Sequence, residues 1–172
     1  MMNPALLLAN DILAKEYFIK AAFLYNFARL TEWPHNSFKS AIEPIRLCFM
    51  GEEPFDKALH TIRNKKVRGR PLIILYNVAL YEAFRCKILF ISQSEHNNIE
   101  PILGSLNQYP ILTVSELPGF TQKGGHIRFF LTSSNTISLE VNLEAIKQAN
   151  LQISSRILTL AKIISSAEAA KP

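Results

Sequence analysis

The sequence predicts an α/β fold. It reads as a single domain on a mainly parallel sheet of about six strands, with an antiparallel edge hairpin and helices on both faces. Three observations predict it. Short, nearly continuous apolar runs alternate with segments of helical period, the pattern of a parallel sheet covered by crossover helices. The last third switches to strands of alternating polarity around Ser133-Ser-Asn135, a hairpin signal. A chain of 172 residues fits one domain with a substantial core.

The first element is a helix from Lys15 to Arg29, with Lys20 and Arg29 its only charges after Tyr17. Tyr17, Ala21, Leu24 and Ala28 form one apolar line, and Phe18, Ala22 and Tyr25 a second. Phe23, Phe27 and Leu30 add a third. A helix apolar on most sides is expected to be buried on most sides, in its own core or against another chain. Pro34 ends it, and His35 to Pro44 is a polar connection.

Arg46-Leu-Cys-Phe-Met50 reads as the first buried strand. Glu53 to Ile62 follows as a helix with Pro54 at its start. Pro71 to Tyr76, Lys87 to Ile91 and Pro110 to Val114 are further strands, separated by helices over Val78–Phe84 and Asn98–Leu106. The second of these helices turns Ile99, Ile102, Leu103 and Leu106 inward. His126–Leu131 and Ile137–Val141 pair antiparallel at one edge. Helices over Leu143–Ala149 and Ser154–Ser165 close the chain. Residues 1–14 read as an N-terminal extension or leader remnant, 15–166 as the domain and 167–172 as a frayed tail. No Lys or Arg precedes Lys15, so the start lacks the basic region of a secretory signal.

Composition narrows the function classes. Hydrophobic residues at 48% and charged residues at 19% describe a globular chain. No apolar run reaches the ~20 residues of a membrane-spanning helix, so no direct membrane insertion is expected. The net charge of +5 is concentrated in Arg63-Asn-Lys-Lys-Val-Arg-Gly-Arg70. That cluster has no interleaved aromatics, so it reads as a solvated helix-to-strand loop and no nucleic acid is expected. Cys48 and Cys86 form no close pair in sequence. In adjacent strands they could reach disulfide range, or remain two inert buried thiols.

Catalytic signatures are absent. The chain has no glycine-rich phosphate loop and no Gly-x-Ser-x-Gly elbow. His35, His60, His96 and His126 lack metal-ligand spacing, so neither metal nor cofactor is expected. Ser92, Ser94, Glu95 and His96 share one loop, whereas a triad draws on separate elements. Glu52 and Glu53 imitate the acidic pair of a phosphoacceptor site, but the third strand ends in Ser92 instead of Asp. An α/β scaffold without a catalytic set suits a binding or regulatory role, not an enzyme.

Lys20-Ala-Ala-Phe-Leu-Tyr-Asn-Phe-Ala-Arg-Leu-Thr-Glu-Trp-Pro34 resembles the opening motif of the YfiR-like proteins. The resemblance runs on in order through Arg46–Gly51, Val67–Pro71, Cys86–Ser92, Leu112–Phe120, Val141–Leu143 and Leu151–Leu158. It implies a non-enzymatic periplasmic regulator that is dimeric. Such a regulator binds the periplasmic part of an inner-membrane diguanylate cyclase and holds it inactive, lowering cyclic-di-GMP and biofilm formation. It also implies a disulfide between the cysteines matching Cys48 and Cys86, as an oxidising periplasm permits. Some members carry a second cysteine pair in the region of Leu117–His126; this chain has none there.

A repressor of this kind must hold one state of its target better than another. Phe23, Phe27, Leu30 and Trp33 are the expected dimer or partner contacts, since aromatic residues anchor interfaces. A second reading is a periplasmic small-molecule sensor. It would use the strand-end loops or a pocket formed by Glu32, Trp33, Ser154 and Arg156.

Overall fold

The computed structural model describes residues 1–164. The expected tail and the end of the expected last helix lie outside them. The first helix, α1, spans Pro4–Leu30 and starts well before Lys15. Its start is set locally: the Asn3 side chain accepts a hydrogen bond from the Ala5 amide, and Pro4 takes the first helical position. Within this chain α1 buries one stripe, not most of its surface. Lys20, Ala21, Leu24, Phe27 and Ala28 face the sheet, while Phe18, Ile19 and Ala22 face outward. Phe18 and Ala22 belong to the second of the apolar lines read from the sequence, which was expected to be buried.

After α1 come β1 (Thr31–Glu32), β2 (Ile45–Met50), β3 (Lys66–Val67), β4 (Arg70–Leu75) and β5 (Ile88–Ile91). Then follow α2 (Ile99–Leu106), β6 (Leu112–Ser115), β7 (Ile127–Leu131) and β8 (Ile137–Asn142). The chain continues through α3 (Leu143–Gln148), β9 (Gln152–Ile153), α4 (Ser155–Leu158) and β10 (Ala161–Ile164). Among the described residues the sheet has eight strands in the order β10-β8-β7-β6-β5-β2-β4-β3, and β1 pairs with β9 in a separate small ribbon. Five neighbouring pairs from β4 to β7 and at β10–β8 run parallel. The sheet is thus mainly parallel, as the sequence implies.

Three departures have physical causes. The basic loop contains a hairpin: Val67 pairs with Arg70 across Arg68 and Gly69, both at positive φ. Segments expected as helices at Glu53–Ile62 and Val78–Phe84 form six-residue 3₁₀ turns, Asp56–Thr61 and Leu80–Arg85. The β7–β8 hairpin is antiparallel as expected, from Ile127↔Val141 to Leu131↔Ile137, but it is not the edge. The segment expected to continue as a helix from Ser154 instead makes one turn, α4, and then enters the sheet as β10 beside β8. β-branched Ile163 and Ile164 favour that outcome.

The strand pleat sorts side chains onto two cores. Leu47, Phe49, Ile88, Phe90, Val114 and Phe129 point toward α1. Cys48, Met50, Leu89 and Ile91 point toward α2, where Ile99, Ile102, Leu103 and Leu106 are all buried. On that second face Cys48 and Cys86 are joined in a disulfide with Cα atoms 6.0 Å apart. Cys86 caps the 3₁₀ turn before β5 instead of lying in the strand.

Candidate functional site

The four aromatic and aliphatic residues at the end of α1 do not share one surface. Phe27 is fully buried and its ring stacks on Phe129 of β7 at 5.8 Å between centroids. It is part of the protein's own core and offers nothing to a partner. Phe23, one turn earlier, is half-buried at the rim, 5.9 Å from Phe129. Leu30 is also half-buried, and its carbonyl accepts a hydrogen bond from the Ser154 amide at 2.8 Å.

Phe23 lines a groove of about 660 Å³ between α1 and the β7–β8 hairpin. Ile12 and Ile19 form its helix wall and Leu131 and Ile137 its hairpin wall, with Lys15 and Glu16 at the border. Ile19 is 50% exposed, and Ile12 and Leu131 are exposed as well. An apolar groove with a charged rim is the usual anatomy of a protein-binding patch.

Trp33 lies past the helix end and is half-buried. It packs against the core on the α1 face of the sheet. Its indole N–H donates to the Lys87 carbonyl at 3.2 Å, and its ring meets Phe38 edge-on at 6.4 Å. Trp33 and Phe38 wall a second cleft, of about 550 Å³, with Glu32, Arg68 and Arg70 around it. Glu32 borders the cleft, but Ser154 and Arg156 do not line it. The Ser154 hydroxyl caps α4 by accepting from the Arg156 amide, and the Arg156 side chain is exposed.

Beneath α1 sits a buried ionic cluster. Lys20 is 4% exposed and is ion-paired with both Glu16 and Glu116, the residue after β6. Tyr17 donates its hydroxyl to Glu116 at 3.2 Å. Burial, and then the Glu116 carboxylate, hold the Tyr17 phenol well above its ordinary range. This cluster fixes the turn of α1 that carries Phe23. Sequence reasoning noted Lys20 only as a charge. A lone lysine on the buried line of an apolar helix calls for a buried carboxylate, and Glu116 supplies it.

The strand-end loops hold no catalytic arrangement among the described residues. Ser92 Oγ and Ser94 Oγ are 2.6 Å apart, and Ser94 Oγ accepts from the Glu52 amide. His96 Nδ1 meets the Gln93 carbonyl at 3.1 Å, so no Ser–His contact forms. Glu53 caps the following 3₁₀ turn by accepting from the Phe55 and Asp56 amides. Gly51 adopts φ +84°, and a Cβ there would stand 2.5 Å from both serine hydroxyls, so glycine is required by the packing of this corner. Among the described residues no cluster of His, Cys, Asp or Glu could hold a metal ion, and no helix is long and apolar enough to cross a membrane.

A family model described as YfiR/HmsC-like matches residues 17–162. A crystal structure of a conserved domain protein from Vibrio cholerae O1 biovar El Tor is similar at a TM-score of 0.47 and 11% identity. That likeness covers 72% of this chain and 55% of the other, so the chain spans about half the length of that structure. No curated protein matches the sequence.

Proposed function

We propose a function from one premise: the chain belongs to the YfiR/HmsC-like family. The family is one of periplasmic regulators, and the finer reading follows from it. This protein binds the periplasmic part of an inner-membrane diguanylate cyclase and holds that cyclase inactive, without catalysing a reaction of its own. Cyclic-di-GMP output and biofilm formation rise when it lets go.

The observation that carries the reading to particular residues is the exposed apolar groove between α1 and the β7–β8 hairpin. Phe23 anchors it from below, while the Lys20–Glu116 pair holds the helix wall in place. Leu30 and Trp33, both half-buried, lie at the C-terminal end of α1 outside this groove, and Trp33 walls the second cleft. A second copy of the chain is the other occupant this face would accept, which accords with a homodimer.

The test is co-purification of the full chain with the periplasmic segment of a membrane diguanylate cyclase from the same genome, together with cellular cyclic-di-GMP. Phe23→Asp or Ile19→Asp should abolish capture and raise cyclic-di-GMP, with the fold intact by circular dichroism. Capture and repression unchanged in both variants would remove this face from the mechanism.

A further inference from the structure

We infer that the basic edge formed by the β3–β4 hairpin, the end of α1 and the loop at residues 38–43 docks on an anionic lipid surface. This goes beyond partner binding and stands without it.

The charge is one-sided from the sequence up. No Asp or Glu stands between Asp56 and Glu82, while six Lys and Arg residues do. Five of them fall within residues 63–70, which the fold bends into the hairpin at the β3 edge of the sheet. Lys65, Lys66 and Arg68 are exposed there. Edge lysines by themselves serve to keep a strand from pairing with another chain. Here a cation of α1 joins them. Arg29, exposed at the helix end, and Lys65 both approach the Tyr25 ring, at 5.8 and 5.1 Å from its centroid. The Tyr25 hydroxyl donates to the Lys66 carbonyl, and Arg68 donates to the Arg29 carbonyl. These bonds fasten the hairpin to the helix end and gather four exposed cations. Among the described residues none of the four has an ion pair. Like charges held close repel one another, and an anionic surface relieves that repulsion.

The loop adds an apolar contact. Arg70 donates to the Ser40 and Glu43 carbonyls and so ties residues 38–43 to the hairpin. Ile42 in that loop is 76% exposed, and Lys39 is exposed as well. Two carboxylates are near. Glu43 is engaged by Arg46 and by the Lys39 amide, and Glu32 is exposed on the cleft that Arg68 also borders. An apolar tip beside a group of cations suits a bilayer surface: the cations meet headgroup phosphates and the aliphatic side chain enters the interface. Arg29, Lys65 and Lys66 stand on open surface. Mobile headgroups can rearrange to meet each of them, whereas the carboxylates of a folded partner are fixed in place.

The full-length protein is floated with vesicles of phosphatidylcholine containing phosphatidylglycerol and, separately, with vesicles of phosphatidylcholine alone. Partition onto the anionic vesicles is expected, and it should fall as salt is raised. The start of α1, where Leu6 and Leu8 are exposed, would bind both kinds of vesicle alike, so the difference between them isolates the basic edge. Lys65→Gln with Lys66→Gln should lower partition onto anionic vesicles about tenfold or more. Ile42→Ser should lower it severalfold and leave its salt dependence unchanged. If the hairpin variant fails to fold by circular dichroism, Arg29→Gln with Lys39→Gln decides in its place with the same expected loss. Equal partition onto the two kinds of vesicle overturns the inference, and so does unchanged partition in a folded variant. Capture on immobilised polyglutamate without partition onto anionic vesicles also overturns it and assigns the edge to an acidic polypeptide.

Discussion

Lys20, in the middle of α1, forms an ion pair with Glu116 at the end of β6, and both are shielded from water. The two residues are 96 positions apart in sequence. Their contact is what seats an otherwise apolar helix in one rotation about its axis. An apolar stripe can slide or turn on an apolar sheet at modest cost, but a buried charge has only one place where it is neutralised. Tyr17 and Glu16 complete the cluster from the same helix.

Removing one partner should therefore cost more than removing both. Lys20→Met leaves Glu116 buried without its cation and is expected to destabilise the fold by about 3–5 kcal/mol. The double variant Lys20→Met, Glu116→Leu should recover most of that loss. Urea unfolding of the four proteins of the cycle checks it; equal stability of the single and double variants would contradict a buried pair.

The disulfide makes a separate contribution. Cys48 and Cys86 enclose a sequence separation of 38, for which loop-closure entropy gives about 3–4 kcal/mol. The double serine variant should lose stability of that order, and dithiothreitol should destabilise the native protein while leaving the variant unchanged. The bridge fastens β2 to the segment entering β5, on the face covered by α2 and away from α1. Partner capture by the folded variant is accordingly expected to persist.

Much of this architecture is legible in the sequence, and the exceptions share a cause. β2, β4, β5 and β6 announce themselves as apolar runs, and α2 by Ile99, Ile102, Leu103 and Leu106, because burial on a sheet leaves a periodic trace. β3, β9 and β10 carry no such trace. Lys66–Val67 and Gln152–Ile153 are two residues each, and Ala161-Lys-Ile-Ile164 fits a helix or a strand equally until β8 offers it an edge. The proposed association face was legible only in part. Phe23 and Phe27 look equivalent on a helical wheel, and only the position of Phe129 beneath α1 makes one core and the other rim.

Acid should weaken the protein through His126. Burial lowers its imidazole from the ordinary value of 6.5 to about 4, partly offset by the Ala145 backbone. Its Nδ1 accepts from the Thr113 amide at 3.1 Å, which requires an unprotonated nitrogen. Above about pH 6.5 both folded and unfolded chains hold this histidine neutral, and its contribution is fully present. As pH falls from about 6.5 toward 4 the unfolded chain binds the proton first, so stability drops, by roughly 3 kcal/mol in all. Denaturant unfolding across this range should show the slope, and His126→Asn should flatten it. A wild-type stability constant from pH 7 to 4.5 would exclude a neutral buried His126.

Phe23 and Phe27 give the sharpest separation of core from surface, since they are four residues apart on one helix. Phe27→Ala removes a ring stacked between α1 and β7 and should cost about 3–5 kcal/mol. Phe23→Ala, at the rim, should cost clearly less in stability, about 1–2 kcal/mol. Binding should reverse the order. Phe23→Ala is expected to weaken partner capture by about tenfold or more, as truncation of an aromatic anchor does. Phe27→Ala should leave affinity near wild type wherever the protein is folded. Thermal unfolding and a pull-down titration of both variants, run below the lower melting temperature, test the pair together. If Phe27→Ala weakens capture as strongly as Phe23→Ala at equal folded fraction, the groove beside α1 is not where the partner sits.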